Sequence, residues 1–238
     1  AFLLAAVARR ARRACLRRLR RPAFEDARAG RPCCGQDERR IVRPTNERRR
    51  MTVAEEIVAL RERVLGDIAA AETTAQLEEL KNSDKPIEFI EFNQHRVLEE
   101  NGLEQEVERV VSIVDADIKA GKTVAVYTRR DRFDLDTDDK DEQLKVSVKI
   151  SDAVTSIITN LSVRPNFIVA KGGITSSDIG TKALRVQKAN VMGQIKPGIP
   201  VWMTGEESKF PGLPYVIFPG NVGTNTTLRE AVETLMGE

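Results

Sequence analysis

The chain has 238 residues, 41% hydrophobic and 31% charged, the balance of one large or two small soluble domains, which excludes collagen-like, disulfide-scaffold and wholly disordered classes. No run approaches the 18 or so apolar residues that a membrane helix needs, so no membrane partner is expected. The net charge of +2 conceals a split: residues 1–50 carry 16 Arg, no Lys and 5 acids, a net of +11, while residues 51–238 carry 22 Lys and Arg against 31 acids, a net of −9.

The Arg-rich segment 1–50 reads as a non-globular extension, disordered or irregular. Its opening AFLLAAV is too short for a signal-peptide core, and it lacks the Ser usual in transit peptides. Lys is absent before Met51, the first methionine, and frequent after it. The expectation is a non-native or mis-framed upstream extension, with a targeting segment or a basic tail as alternatives. Sixteen guanidiniums would attract phosphate without sequence preference, but nucleic acid is the disfavoured partner. All three cysteines lie here, and Cys33–Cys34 has no second pair or His nearby to complete a metal site. A cysteine-free remainder points to a reducing compartment and a cytoplasmic location.

Regular periodicity begins at Met51, so residues 51–238 are read as the folded domain. Thr52 and Glu55 form a capping box before an apolar-periodic helix, Val53 to Ala70. TTAQLEEL (73–80) continues in helical style. IEFIEF (87–92) alternates apolar and acidic with period two, as a half-buried strand does. Val107, Val110, Val111, Val114 and Ile118 fall at helical spacing within Leu103 to Ala120, and Gly121 supplies the stop. TVAVYT (123–128) is a buried strand. Arg129–Gln143 is a charged excursion; its DTDDKD lacks the Gly and Glu of a calcium loop. A helix follows over Leu144–Leu161, with Val146, Ile150, Val154, Ile157 and Ile158 inward, then the strand NFIVA (166–170). PVWMT (200–204) and PYVIF (214–218) are short strands, and Thr227 to Met236 is the last helix. Strands alternating with helices predict an α/β fold: a mainly parallel sheet flanked by helices. Such sheets bind ligands at the carboxyl ends of their strands.

Two candidate sites lie at strand ends. In KGGITSSD (171–178), Gly172 and Gly173 allow a close backbone approach, and Thr175, Ser176 and Ser177 open a helix whose free N–H groups attract anions. Phosphate is the obvious ligand; a plain strand–turn–helix is the bland alternative. In PGNVG (219–223), a second glycine loop could face the first, or be a tight turn. Thr128, Arg129 and Arg130 end a strand on the same edge, where an Arg could hold a phosphate or be a solvated charge. With His95 as the single His, no His-based triad or two-His metal site can be built within the chain, and His95 is read as a surface residue at a helix start. Trp202 and Phe210 are read as core packing rather than base-stacking residues. Glu207 and Ser208 are polar candidates without a spacing argument.

KGGITSSDIGTKAL, VMGQIKPGIPVW and GEESKFPGLPYVIFPGNVG resemble the C-terminal nucleotide-binding domain of the four-carbon acid sugar kinase family. AGKTVAVYTRRD and TTAQLEEL also resemble that family, so the likeness runs from about Thr73 to Met236. It implies ATP as the phosphoryl donor, Mg²⁺ beside it, and a 3-oxo-tetronate or related sugar acid as acceptor. The implied ATP contacts are Gly173, Ile174, Thr175 and Ser176 in the first loop, with Gly172 before them, and Gly220, Asn221 and Gly223 in the second. The family's third contact, a Ser after its first strand, has no counterpart: GDIAAAE (66–72) stands there and reads as helix. The Asp-Asp-x-Thr-Gly-Ala-like motif of the family's substrate domain is also absent, so no catalytic residue is assigned. The resemblance therefore implies an ATP-binding half without its substrate domain, with weak ATP or ADP binding and little activity alone. A non-catalytic module pairing with a separate sugar-binding chain is the alternative. A homo-oligomer is compatible with either.

Overall fold

The computed structural model of the protein describes residues 2–6, 73–131 and 139–237. The expected helix at Val53–Ala70, the GDIAAAE stretch and the three cysteines lie outside the described residues. The strands are β1 (Phe2–Ala6), β2 (Ile87–Phe92), β3 (Thr123–Thr128), β4 (Phe167–Lys171), β5 (Ala189–Lys196), β6 (Ile199–Thr204) and β7 (Pro214–Phe218). The helices are α1 (residues 73–81), α2 (Gly102–Lys119), α3 (Lys140–Asn160), α4 (Gly173–Asp178, continued by a π-turn over Ile179–Ala183) and α5 (Thr227–Met236). Among the described residues, no helix is long and apolar enough to cross a membrane.

The strands form one sheet in the order β2-β3-β1-β4-β7-β6-β5. Alternating side chains sort into two apolar layers. Val124 and Val126 of β3, Ile168 and Ala170 of β4 and Tyr215 of β7 pack against α2, α3 and the π-turn. Ala125, Phe167, Val169, Val216 and Phe218 face the other way, against Leu77 and Leu80 of α1 and Leu228, Ala231, Val232 and Leu235 of α5. A strand with both faces buried reads as a near-continuous apolar run, which accounts for VAV within TVAVYT and FIVA within FIVAK. Trp202 and Phe210 join the first layer, as core packing predicts.

The α/β class and its flanking helices are as expected. The parallel part of the sheet is narrower than the strand–helix alternation suggests: β2 with β3 and β4 with β7 run parallel, and the remaining pairs are antiparallel. Two causes are visible. Phe2–Ala6, placed by sequence in the extension, is strand β1, an interior strand of the sheet, antiparallel to both β3 and β4. Ala189–Lys196, which the sequence reading left without an element, is an edge strand paired with β6. The β5–β6 hairpin turns through Pro197 and Gly198, whose φ of +79° is a glycine conformation. Helix α3 starts four residues earlier than predicted because Asp139 caps it, its Oδ1 accepting from the amides of Asp141 and Glu142. That cap is the role of Asp139 within DTDDKD. Among the described residues, no group of His, Cys, Asp or Glu is arranged to hold a metal.

Asp115 of α2 ties the α3–β4 connection to the body. Its carboxylate accepts from Ser162 Oγ at 2.5 Å and from the amides of Ser162 and Val163 at 3.1–3.2 Å. Burial pushes this carboxyl up, but the bonds from Ser162 and Val163 outweigh it, and the net shift is downward. A depressed carboxyl stabilises the fold above its unfolded value of about 4 and loses that contribution as pH falls through the folded value. Asp115→Asn should therefore lower Tm at pH 7 and show a smaller further drop than the wild type between about pH 4 and pH 2; thermal melts across that range check it.

Candidate nucleotide site

Because β4 and β7 are adjacent and parallel, with Lys171 opposite Phe218, the two glycine loops leave the sheet side by side at the carboxyl edge. The Gly172 amide donates to Phe218 O at 2.9 Å, clamping one loop to the strand that carries the other. Lys171 crosses beneath them. It is 2% exposed, its Nζ donates to Gly220 O at 3.1 Å and it lies 4.9 Å from the centroid of the Phe218 ring. So Gly173 and Gly220, far apart in sequence, share one rim.

The glycines there have different reasons for being glycine. Gly172 sits at φ +107° and Gly223 at φ +90°, and a Cβ on Gly223 would come within 2.7 Å of Thr227. Backbone geometry alone explains both. Gly173 and Gly220 have ordinary φ, and a Cβ on either would meet nothing within 4 Å. Neither conformation nor packing demands glycine at these two positions. What the missing side chains leave is open space over the loop backbone.

Helix α4 begins at Gly173 without a side-chain cap. The first-turn amides of Gly173, Ile174 and Thr175 have no acceptor within the helix, and the helix dipole adds partial positive charge at that end. Ile174 projects outward, 74% exposed. Ser176 faces inward instead: its amide donates to Gly172 O, its Oγ to Gly173 O, and it is buried. It forms the floor of the loop rather than its rim. Asn221 is exposed on the second loop.

A family model described as "Nucleotide-binding C-terminal domain" matches residues 69–228. The chain belongs to that family. The search of curated proteins returns no match. Among solved structures, this nucleotide-binding domain is similar to a domain of unknown function (DUF1537) from Bordetella bronchiseptica with bound citrate. The TM-score is 0.48 and the identity 17%, over 71% of this chain and 38% of that one. It is also similar to a Haemophilus influenzae protein of the DUF1537 family model, with TM-score 0.48 and 19% identity over 67% of this chain and 37% of that one. The chain thus spans less than two-fifths of the length of either.

Two residues of the nucleotide-binding domain that shape the rim escaped the sequence reading. Tyr215 of β7 is fully buried, and its hydroxyl donates to Ser176 O at 2.5 Å. The phenol oxygen in turn accepts from the Gly180 amide. In a regular α-helix the Gly180 amide would bond Ser176 O directly; the phenol stands between them. The helix widens at that point into the π-turn, where the Leu184 amide reaches back five residues to Ile179 O at 2.8 Å. Gly180 makes room, since a Cβ there would lie 3.3 Å from the ring. The second is Gln76 of α1, 3% exposed, whose Nε2 donates to Thr224 O at 3.1 Å and fixes the far end of the second loop. As strand and helix residues inside apolar patterns, neither carries a local signal of these roles.

The other candidates have structural roles. Both Glu207 and Ser208 brace loops: Glu207 Oε1 accepts from the amides of Gln187 and Lys188, and Ser208 Oγ donates to Leu184 O. His95 lies in the 3-10 turn Gln94–Leu98 after β2, its Nε2 3.3 Å from Asp131 O.

Proposed function

We propose that this domain binds ATP or ADP with the nucleotide's phosphates over the rim formed by Gly173, Ile174, Thr175 and Gly220, and that it is the ATP-binding half of a four-carbon acid sugar kinase. The observation that carries the reading is the pair Gly173 and Gly220, glycines with no conformational or packing cause, beside uncapped helix amides. Oxyanions are stabilised where N–H groups and a helix N-terminus converge. Gly172 and Gly223 shape the two bends, Lys171 joins them, Ser176 braces the first, and Asn221 is an exposed polar side chain on the second. Mg²⁺ would reach this chain through the phosphates and would supply charge neutralisation during phosphoryl transfer.

The reaction proposed is transfer of the γ-phosphoryl group to a hydroxyl of a small sugar acid such as a 3-oxo-tetronate. The resemblance of 171–223 to that kinase family supports it. The base that takes the acceptor's proton, and the rest of the acceptor's site, belong in this reading to a separate substrate domain or chain.

Titration calorimetry of the full chain with ADP and with ATP–Mg²⁺ tests the reading. Saturable binding with Kd between about 10 µM and 1 mM is expected, about 4–7 kcal/mol. No heat with several-millimolar nucleotide would overturn it. Adding a sugar-acid-binding domain and measuring ATP consumption then separates a kinase half, which turns over, from a non-catalytic module, which does not.

A further inference from the structure

The carboxyl ends of β2 and β3 lie at the same edge of the sheet as the glycine loops. Tyr127 of β3 and Lys171 of β4 both pair with Phe2 across β1, so the two strands end level. Two strand spacings separate their backbones by roughly 10 Å. Beyond β3 run Thr128, Arg129, Arg130 and Asp131, and the two arginines diverge. Arg129 stays at the surface, its Nε on Asp131 Oδ2 at 2.8 Å.

Arg130 turns inward. Its Nε and Nη1 are shut off from water and have no hydrogen-bond partner among the described residues. Among the described residues no carboxylate is recorded as offsetting the charge, and burial pushes its pKa down. The backbone on both sides is fixed, since Gln94 Nε2 donates to Arg129 O at 2.8 Å and to Asp131 O at 3.4 Å, and the Arg129 amide donates to Phe92 O at 3.0 Å. Gln94 is itself 7% exposed, and its Oε1 is a further buried atom without a partner among the described residues.

A lysine in such a place could shed its proton, but a guanidinium keeps its charge. A buried charge persists in folded proteins when something pairs it. Nε and Nη1 lie on different sides of the guanidinium, so the two free donors call for more than one acceptor oxygen, which a carboxylate or phosphate supplies. We propose that Arg130 receives an oxyanion that arrives with a ligand, and that Gln94 Oε1 accepts from a hydroxyl beside it. This rests on the nucleotide reading of the same rim. The oxyanion is the outermost phosphate of ATP or the carboxylate of the acid that accepts it.

The test uses the full chain with Arg130→Met, which keeps the apolar stem, and Arg130→Lys. Calorimetry with ADP, with ATP–Mg²⁺ and with threonate, a four-carbon hydroxy acid, reads both sources. If the oxyanion is the terminal phosphate, Arg130→Met loses at least about tenfold in ATP affinity and keeps that for ADP; if it is a carboxylate, threonate binding falls by about tenfold and both nucleotides are unaffected. Removing an unpaired buried charge should also raise the ligand-free Tm of Arg130→Met while shrinking the ligand-induced rise in Tm. Equal binding of all three ligands by wild type and both variants would overturn the assignment. So would a lower ligand-free Tm with an undiminished ligand-induced rise, the mark of a purely structural arginine. Should wild type bind no nucleotide, the nucleotide reading alone fails, and the threonate titration still decides Arg130.

Discussion

Gly173→Val should fold as the wild type does and bind nucleotide about a hundredfold more weakly, a loss of about 2.7 kcal/mol. The expectation follows from what surrounds the position. A Cβ there meets no atom within 4 Å, and φ is ordinary, so the ligand-free protein has nowhere to register strain. Helix propensity changes little at an exposed first-turn residue, by a few tenths of a kcal/mol in either direction. The isopropyl group would instead stand in the space over the Gly173, Ile174 and Thr175 amides. Any oxyanion held by those amides needs its oxygens about 2.9 Å from the nitrogens, a distance the added carbons prevent. Gly173→Ala should fall between the two. Thermal melts and nucleotide calorimetry on the three proteins check both halves of the statement. Unchanged affinity in Gly173→Val would show that glycine is there for some other reason.

Tyr215→Phe should do the opposite, lowering stability first and affinity second. The hydroxyl joins Ser176 O and the Gly180 amide inside the protein. Its loss leaves the Gly180 amide to find Ser176 O, which keeps the bond from the Ile179 amide, or to go unpaired, at a cost of about 1–3 kcal/mol. For a chain of this size that is a fall in Tm of about 2–4 °C per kcal/mol. If the two groups then bond directly, the π-turn tightens into α-helix and the first loop turns about its axis. Nucleotide affinity should therefore drop several-fold even where the protein remains fully folded. Exchange of the Gly180 amide with solvent deuterium reports the local event. Burial pushes the Tyr215 hydroxyl well above the usual phenol range, so the bond persists across the pH range in which these experiments are run. Wild-type Tm and affinity in Tyr215→Phe would show that the clamp does not hold the loop.

Local pattern made much of this fold legible. The alternation of IEFIEF, the three-and-four spacing from Val107 to Ile118 and the run Thr227–Met236 each became the expected element. Gly121, at φ +79°, stops α2 as its position predicts. What stayed hidden depends on partners distant in sequence. FLLAA sits among arginines, and nothing local says that it pairs with β3 and β4. The segment ANVMGQIK is half polar because it is an edge strand, so neither alternation nor a continuous apolar run marks it. At the site, the glycine loops could be found because glycine is a local signal. Tyr215 and Gln76 could not, since each looks like core until the hydroxyl and the amide are traced across the sheet. Ser176 illustrates the reverse: a Ser in a promising loop, turned inward by bonds that the spacing does not reveal.

Strand β1 gives the domain an unusual dependency. Within the sheet it stands between β2 and β3 on one side and β4, β7, β6 and β5 on the other. The five residues Phe2–Ala6 work as a keystone, bridging partners that lie far from them along the chain. Assembly of the sheet must then wait for long-range encounters, which are slow to form. A shortened protein that omits this stretch would expose two facing edges in the middle of the sheet, each with unmet amides and carbonyls inviting a strand from elsewhere.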